Sequence, residues 1–310
     1  MGLDALLNSS TAVSRWKNTV NNKRIITRFG GMWEQLLPEI APGTQIPRLI
    51  HQTYPNRALP DALRRNVEDL VAENPGWEHR LYDDDAIEHF ISGYYSAEVL
   101  QAYRRIKPEY GAARADLFRY LAIYRLGGVY LDIKSRFTSP IDEVICGDEQ
   151  YVLSGWRNGE GEPHQGFGLH RDLAHIAGGE LQQWHVIAAP GHPFLRAVII
   201  RVLSNIDSYR PWWNGVGRIG VFRLTGPIAY TLAIVPLLKR YPCKIVSNER
   251  ALALEYSITG NYNHSDAFQR HYSLSDTSII ELSTGARWLG AAYTRARRIK
   301  DRMRGPSCDA

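Results

Sequence analysis

The chain is 310 residues long, with 44% hydrophobic and 22% charged residues and a formal net charge of +5. Those values belong to a globular chain with ample core, and they exclude a low-complexity, collagen-like or intrinsically disordered sequence. The three cysteines, Cys146, Cys243 and Cys308, are far apart and odd in number, which fits a reducing compartment better than a disulfide framework or a zinc site.

The charge sits at the ends. Met1 to Gly30 carries five basic residues against Asp4, Arg287 to Arg304 carries seven against Asp301, and the body between them is mildly acidic. In the C-terminal segment Trp288, Ala292, Ala296, Ile299 and Met303 recur at helical spacing with arginines opposite. Two readings stand: a basic amphipathic helix on an anionic membrane surface, or a terminal helix whose basic face is solvated. The longest uncharged run, Leu224 to Leu238, is broken by Pro227 and Pro236, so no spanning helix is expected. The N-terminus has neither signal-peptide nor myristoylation order. A cytoplasmic chain is expected, resting on the inner face of the membrane if its basic ends bind lipid.

In chain order, residues 1–45 read as helical and end in the Pro/Gly loop "PEIAPGTQ". "IPRLIHQTYP" predicts a buried strand from Arg48 to Gln52, and Leu59 to Glu73 a helix stopped by "NPG". "WEHRLYDDD" alternates like a strand and runs into an acidic helix start at Asp83 to Asp85. Pro108 to Leu126 carries a helical stripe ended by Gly127-Gly128, and "VYLDI" follows as the next strand. Strands alternating with helices predict an α/β fold with a mainly parallel sheet, which binds ligands beyond the carboxyl ends of its strands. Three segments follow: an N-terminal helical extension (1–45), a main domain (46–286) and a basic amphipathic tail (287–310).

Asp132 and Lys134 lie at such a strand end, two residues apart and so, on a strand, on one face. Two chemistries use this pattern. A metal-dependent nuclease carries (Asp/Glu)-x-Lys on a strand with an upstream carboxylate, here Asp116. It wants that carboxylate on an adjacent strand, whereas Asp116 falls within a helix, and the acidic body offers no footprint for nucleic acid.

The second covers more of the chain. "YGAARADLFRYLAIYRLGGVYLDIK" resembles the core of the DXD-motif glycosyltransferases, the group of the Och1-type mannosyltransferases and the large clostridial glucosylating toxins. Asp116 and Arg119 fill that family's Asp-x-x-Arg, Gly127 and Gly128 its Gly-Gly turn, and Tyr130 and Asp132 the start of its Tyr-x-Asp-x-Asp. Tyr54 stands where the family places an aromatic over the nucleotide base. The segments from Gln183 and Trp184 onward ("QWHVIAAPGHPFLRAVI") and around Thr225-Gly226-Pro227 are similar to further family segments.

The resemblance implies a GT-A-type nucleotide-sugar-binding fold, with a mixed, mainly parallel sheet flanked by helices. It also implies hexose transfer from GDP-mannose or a UDP-hexose to a glycan, glycolipid or protein, with retention of configuration. Asp132 and Lys134 are then the catalytic pair. Tyr54, Asp116, Arg119, Tyr130, Asp132, Gln183 and Trp184 bind the donor, the Asp accepting from hydroxyls and the Arg donating to oxygens. His164, in the Gly-rich loop 155–172, and His271 and Trp288 in the C-terminal segment would serve the acceptor or a lid. The family's second Asp, which would hold Mn²⁺ or Mg²⁺, is Lys134 here. Three alternatives stay open: Lys134 supplies the metal's charge, Asp132 still binds the metal, or the chain binds nucleotide sugar without turnover.

Overall fold

The computed structural model describes residues 30–258 and 275–282, together with Arg295. Its centre is a six-stranded sheet of β1 (Leu49–Thr53), β2 (Glu78–Tyr82), β3 (Gly128–Leu131), β5 (Tyr151–Ser154), β6 (His185–Ala188) and β7 (Lys244–Val246), ordered β2-β1-β3-β6-β5-β7. β2, β1 and β3 run parallel, β6 is antiparallel to β3 and β5, and β7 is parallel to β5. The sheet is therefore mixed and mostly parallel, with β6 alone reversed. A two-stranded ribbon, β4 (Arg136–Phe137) with β8 (Leu254–Glu255), stands beside it.

The helices are α1 (Gly31–Leu36), α2 (Asp61–Glu73), α3 (Asp84–Tyr94), α4 (Ala97–Arg104), α5 (Gly111–Leu126), α6 (Ile141–Val144), α7 (Pro193–Ser208), α8 (Pro211–Asn214), α9 (Gly217–Leu224) and α10 (Pro227–Ile234). α1 is the one helix among the described residues before β1. Beyond it Pro38, Pro42 and Pro47 keep the chain out of helix up to β1. Trp33 and Leu37 enter the main core, and the Trp33 indole donates to Asp207 at 2.8 Å. Pro60 sets the start of α2, two residues later than its apolar pattern predicts. Asp83 caps α3 by accepting from the Ala86 amide at 2.9 Å, so the acidic run is a helix start, as its sequence suggests.

α5 departs most from its expected single stripe: from Asp116 to Tyr124 every residue is buried. It lies between the sheet and α7, and its polar residues have to find partners inside the fold. The stretch Gly217–Leu237 meets the length and apolarity of a membrane-crossing helix, contrary to the sequence expectation, but 72% of its most apolar window is buried within the fold. It breaks at Thr225-Gly226, where α9 ends and α10 begins.

The turn from α5 into β3 requires glycine twice. Gly127 has φ +68°, with Pro190 and Pro47 carbons 2.6 and 2.7 Å from where a Cβ would stand; Gly128 has φ +102°, with the Leu49 carbonyl at 2.5 Å. Gly127 and Gly128 thus stop the helix and seat the strand. Gly128→Ala is expected to lower stability by at least about 2 kcal/mol, read as the urea midpoint.

Candidate active site

Topology gathers the sequence-predicted residues at one edge. The carboxyl ends of β1 and β3 and the start of the reversed β6 meet there, and Leu131 pairs with His185. One step further the Asp132 amide donates to the Trp184 carbonyl at 2.9 Å, so Gln183 and Trp184 face the motif across the sheet edge. Tyr54 follows β1 at the same edge, its amide on the Tyr82 carbonyl at 3.0 Å.

Arg119 is the hub. Its guanidinium donates to Asp132 at 2.9 Å, to the Gln183 carbonyl at 2.5 Å and to the Gln183 side chain at 2.7 Å, and it lies 3.3 Å from Asp116. It also sits over the Tyr130 ring, 4.5 Å from the centroid, and the Tyr130 hydroxyl pairs with Thr53 at 2.9 Å. Asp116 takes the Thr225 hydroxyl at 2.8 Å and the Gln183 amide at 3.2 Å. Thr225-Gly226-Pro227 therefore belongs to the site: its threonine holds the carboxylate, and a Cβ at Gly226 would come within 3.5 Å of it.

Both members of the helix pair are almost fully buried, at 4% and 5% side-chain exposure, against 24% for Asp132. Burial raises the Asp116 carboxyl above its usual range, with Arg119 and Thr225 opposing. Burial would lower the Arg119 guanidinium, but the carboxylate of Asp132, with that of Asp116, holds it charged and above its ordinary value. Asp116 and Tyr130 thus form the floor beneath Asp132, and the exposed surface is Asp132 with its neighbours.

The strand argument for Asp132 and Lys134 needs correction. β3 ends at Leu131, and the Ser135 amide closes a turn onto the Asp132 carbonyl at 2.8 Å. The two side chains part. Asp132 meets Arg119, while Lys134 donates to the Tyr256 hydroxyl at 3.0 Å and lies 4.1 Å from that ring's centroid. Tyr256, which nothing in the sequence pattern singled out, is tied here by its carbonyl to Ser135 Oγ at 2.7 Å. It belongs to an aromatic cluster with Trp156, Trp184 and His164.

His164 is buried and lies 3.4 Å from the Glu249 carboxylate, and His170 pairs with Glu180 at 2.6 Å, so the loop histidines share no site. The Gly-rich loop is fastened rather than open: Asn158 donates to the carbonyls of Phe167 and Gly178 at 2.7 and 3.0 Å. His51 and His192 are structural, bonded to Tyr82 and the Gly127 carbonyl and to the Pro242 carbonyl respectively. His271 and Trp288 lie outside the described residues.

The motif offers a divalent cation one carboxylate instead of two. Asp132 is the motif's one carboxylate, its Oδ1 already accepts from Arg119, and an ammonium takes the second position. Among the described residues no group of three or more His, Cys, Asp or Glu side chains is placed to hold a metal. Nor does a two-carboxylate nuclease site form, since a guanidinium stands between Asp116 and Asp132.

Residues 60–151 match the family model described as "Glycosyltransferase sugar-binding region containing DXD motif". The initiation-specific alpha-1,6-mannosyltransferase of Candida albicans is 30% identical over 50% of this chain and 42% of its own length. Inositol phosphoceramide mannosyltransferase 2 of Schizosaccharomyces pombe is 26% identical over 81% of this chain and 61% of its own. A solved structure, the UDP-bound glycosyltransferase domain from the YGT toxin, covers 82% of this chain and 90% of its own at 10% identity, with a TM-score of 0.48. The chain spans about two fifths of the length of the first two curated relatives it matches. Residues 60–151, which hold Asp116, Arg119, Tyr130 and Asp132 and carry Lys134 at the second acidic position, are thus similar to the sugar-binding region of the DXD-motif glycosyltransferases.

Proposed function

We propose that this chain is a glycosyltransferase that moves a hexose from a nucleoside diphosphate sugar to a glycan, glycolipid or protein hydroxyl. The observation that carries the reading is the buried Asp116–Arg119–Gln183 floor under Asp132, at the carboxyl edge of a mostly parallel sheet and largely within the matched region. The relatives' names make mannose the first sugar to try, as GDP-mannose, with UDP-hexoses next.

The reaction breaks the anomeric C–O bond, the electron pair leaving with the diphosphate. The acceptor hydroxyl bonds to the same carbon on the face the diphosphate leaves, and its proton passes to a departing phosphate oxygen, so configuration is retained without a covalent enzyme intermediate. The chain's task is to hold the sugar and neutralise the leaving charge. Asp132, oriented by Arg119, accepts from donor hydroxyls. Lys134, braced on Tyr256, supplies positive charge to the diphosphate in place of a metal. The termini, where membrane association would reside, lie outside the described residues apart from Arg295.

Transfer assays in EDTA and in Mn²⁺ test this. Wild type is expected to turn over in EDTA, Lys134→Ala to fall by about 10- to 100-fold, and Lys134→Asp to recover activity with Mn²⁺ only. A strict Mn²⁺ requirement in wild type, with Lys134→Ala unaffected, would sink the role given to Lys134. Donor binding with no turnover under any condition would make the chain a nucleotide-sugar-binding pseudoenzyme.

A further inference from the structure

Next to the Lys134 turn lies a cavity of about 490 Å³, within the ordinary size range of small-molecule sites, walled by Arg157, His164, Glu249, Arg250, Glu255 and Tyr256. Its wall is continuous with the motif. Tyr256 both meets Lys134 and lines the cavity, the Ile258 amide donates to the Lys134 carbonyl at 2.9 Å, and Leu254 pairs with Phe137. A donor sugar over Asp132 would have this cavity at its flank.

The charges in it are organised. Glu249, 2% exposed, takes Arg157 Nε at 3.1 Å, His164 at 3.4 Å and the Gln182 amide at 3.0 Å. Gln182 is fixed in turn by the Ser154 hydroxyl at 2.6 Å, and that hydroxyl meets His185 at 3.0 Å. Glu255 is paired with Arg136 at 2.6 Å. Among the described residues Arg157 is thus anchored through Nε. Among the described residues no hydrogen bond engages its terminal nitrogens or any nitrogen of the Arg250 side chain, and both residues line the cavity. An arginine held to a buried carboxylate by its Nε keeps its two terminal nitrogens for another partner, and such a pair can receive a carboxylate or phosphate in bidentate fashion.

We propose that this cavity is the acceptor subsite and that it takes a sugar bearing an anionic group, a carboxylate or a phosphate, held between Arg157 and Arg250. The inference rests on the glycosyltransferase reading. His164 and Tyr256 supply the ring surfaces against which the acceptor's apolar face lies, and its free hydroxyl points toward the donor over Asp132.

The test is equilibrium titration of the full chain with methyl glucuronide, glucose 6-phosphate and methyl glucoside, in wild type and Arg250→Ala, each repeated with saturating UDP or GDP. Both charged sugars, or one of them, are expected to bind at least tenfold more tightly than methyl glucoside, to lose at least tenfold in Arg250→Ala, and to bind undiminished beside the nucleotide. Preference for the carboxylate or the phosphate names the source of the charge. Equal binding of the neutral sugar, absence of binding, or full retention in Arg250→Ala overturns the proposal. So does competition by the nucleotide, which would hand the arginines to the donor diphosphate. A nucleotide that binds while the sugars fail overturns the acceptor site alone; if no nucleotide binds, the glycosyltransferase reading falls with it.

Discussion

Replacing Arg119 by alanine is expected to cost about 3–5 kcal/mol of stability and to remove transfer activity altogether. One guanidinium serves Asp116, Asp132 and the backbone and side-chain oxygens of Gln183, and its removal leaves Asp116 buried without its counter-charge. Arg119→Lys keeps the charge but not the planar fork. It should recover part of the stability while donor binding stays at least tenfold weaker, because one ammonium cannot hold Asp132 and Gln183 together. Urea midpoints with nucleotide-sugar titrations check both. An alanine variant within about 1 kcal/mol of wild type would show that the cluster does not carry the site.

Acid should unfold the protein early. Burial depresses three histidines most strongly: His51 to about 4, with the Gly127 carbonyl opposing, His185 to about 3, and His192 to about 4, with the Pro242 carbonyl opposing. In the unfolded chain each takes a proton near pH 6.5, whereas the folded chain refuses it. Their stability is therefore fully present above pH 6.5 and falls as pH drops toward 4. Each histidine contributes a loss of roughly 2 kcal/mol by pH 5, about 6 kcal/mol together, comparable with the whole stability of many domains. Glu249 acts lower. Burial raises it, but His164, Gln182 and Arg157 outweigh that and hold it at about 2, so its share disappears between about pH 4.5 and 2. Urea midpoints at pH 7.5, 6 and 5 should fall steeply, and His192→Gln should shallow that slope by about a third. A flat profile between pH 7.5 and 5 would contradict the buried neutral histidines.

The sequence made the donor side legible because its residues are local or follow the sheet. Asp116 and Arg119 share a helical face, Gly127-Gly128 announces the turn, and Asp132 follows at a strand end. Gln183 and Trp184 reach the site because the reversed β6 starts at that edge. The burial of Asp116 and Arg119 was not legible. Their spacing fits an exposed ion pair equally well, and only the packing of α5 between sheet and α7 makes the pair a floor. The divergence of Asp132 and Lys134 was hidden too, since strand alternation was extended past Leu131, where the ladder stops. Tyr256 and Glu249 gave no signal, because their roles depend on contacts with Lys134 and Arg157, more than 90 residues away in sequence.

The central claim is that a nucleoside diphosphate sugar binds over Asp132, on the floor built by Asp116 and Arg119. Calorimetric titration of GDP-mannose and UDP-hexoses into wild type and Asp132→Asn tests it most directly. The account predicts saturable binding of at least one donor in the presence of EDTA, weakened at least tenfold in Asp132→Asn. No saturable binding of any donor, with or without Mn²⁺, or equal affinity in the two proteins, would contradict it.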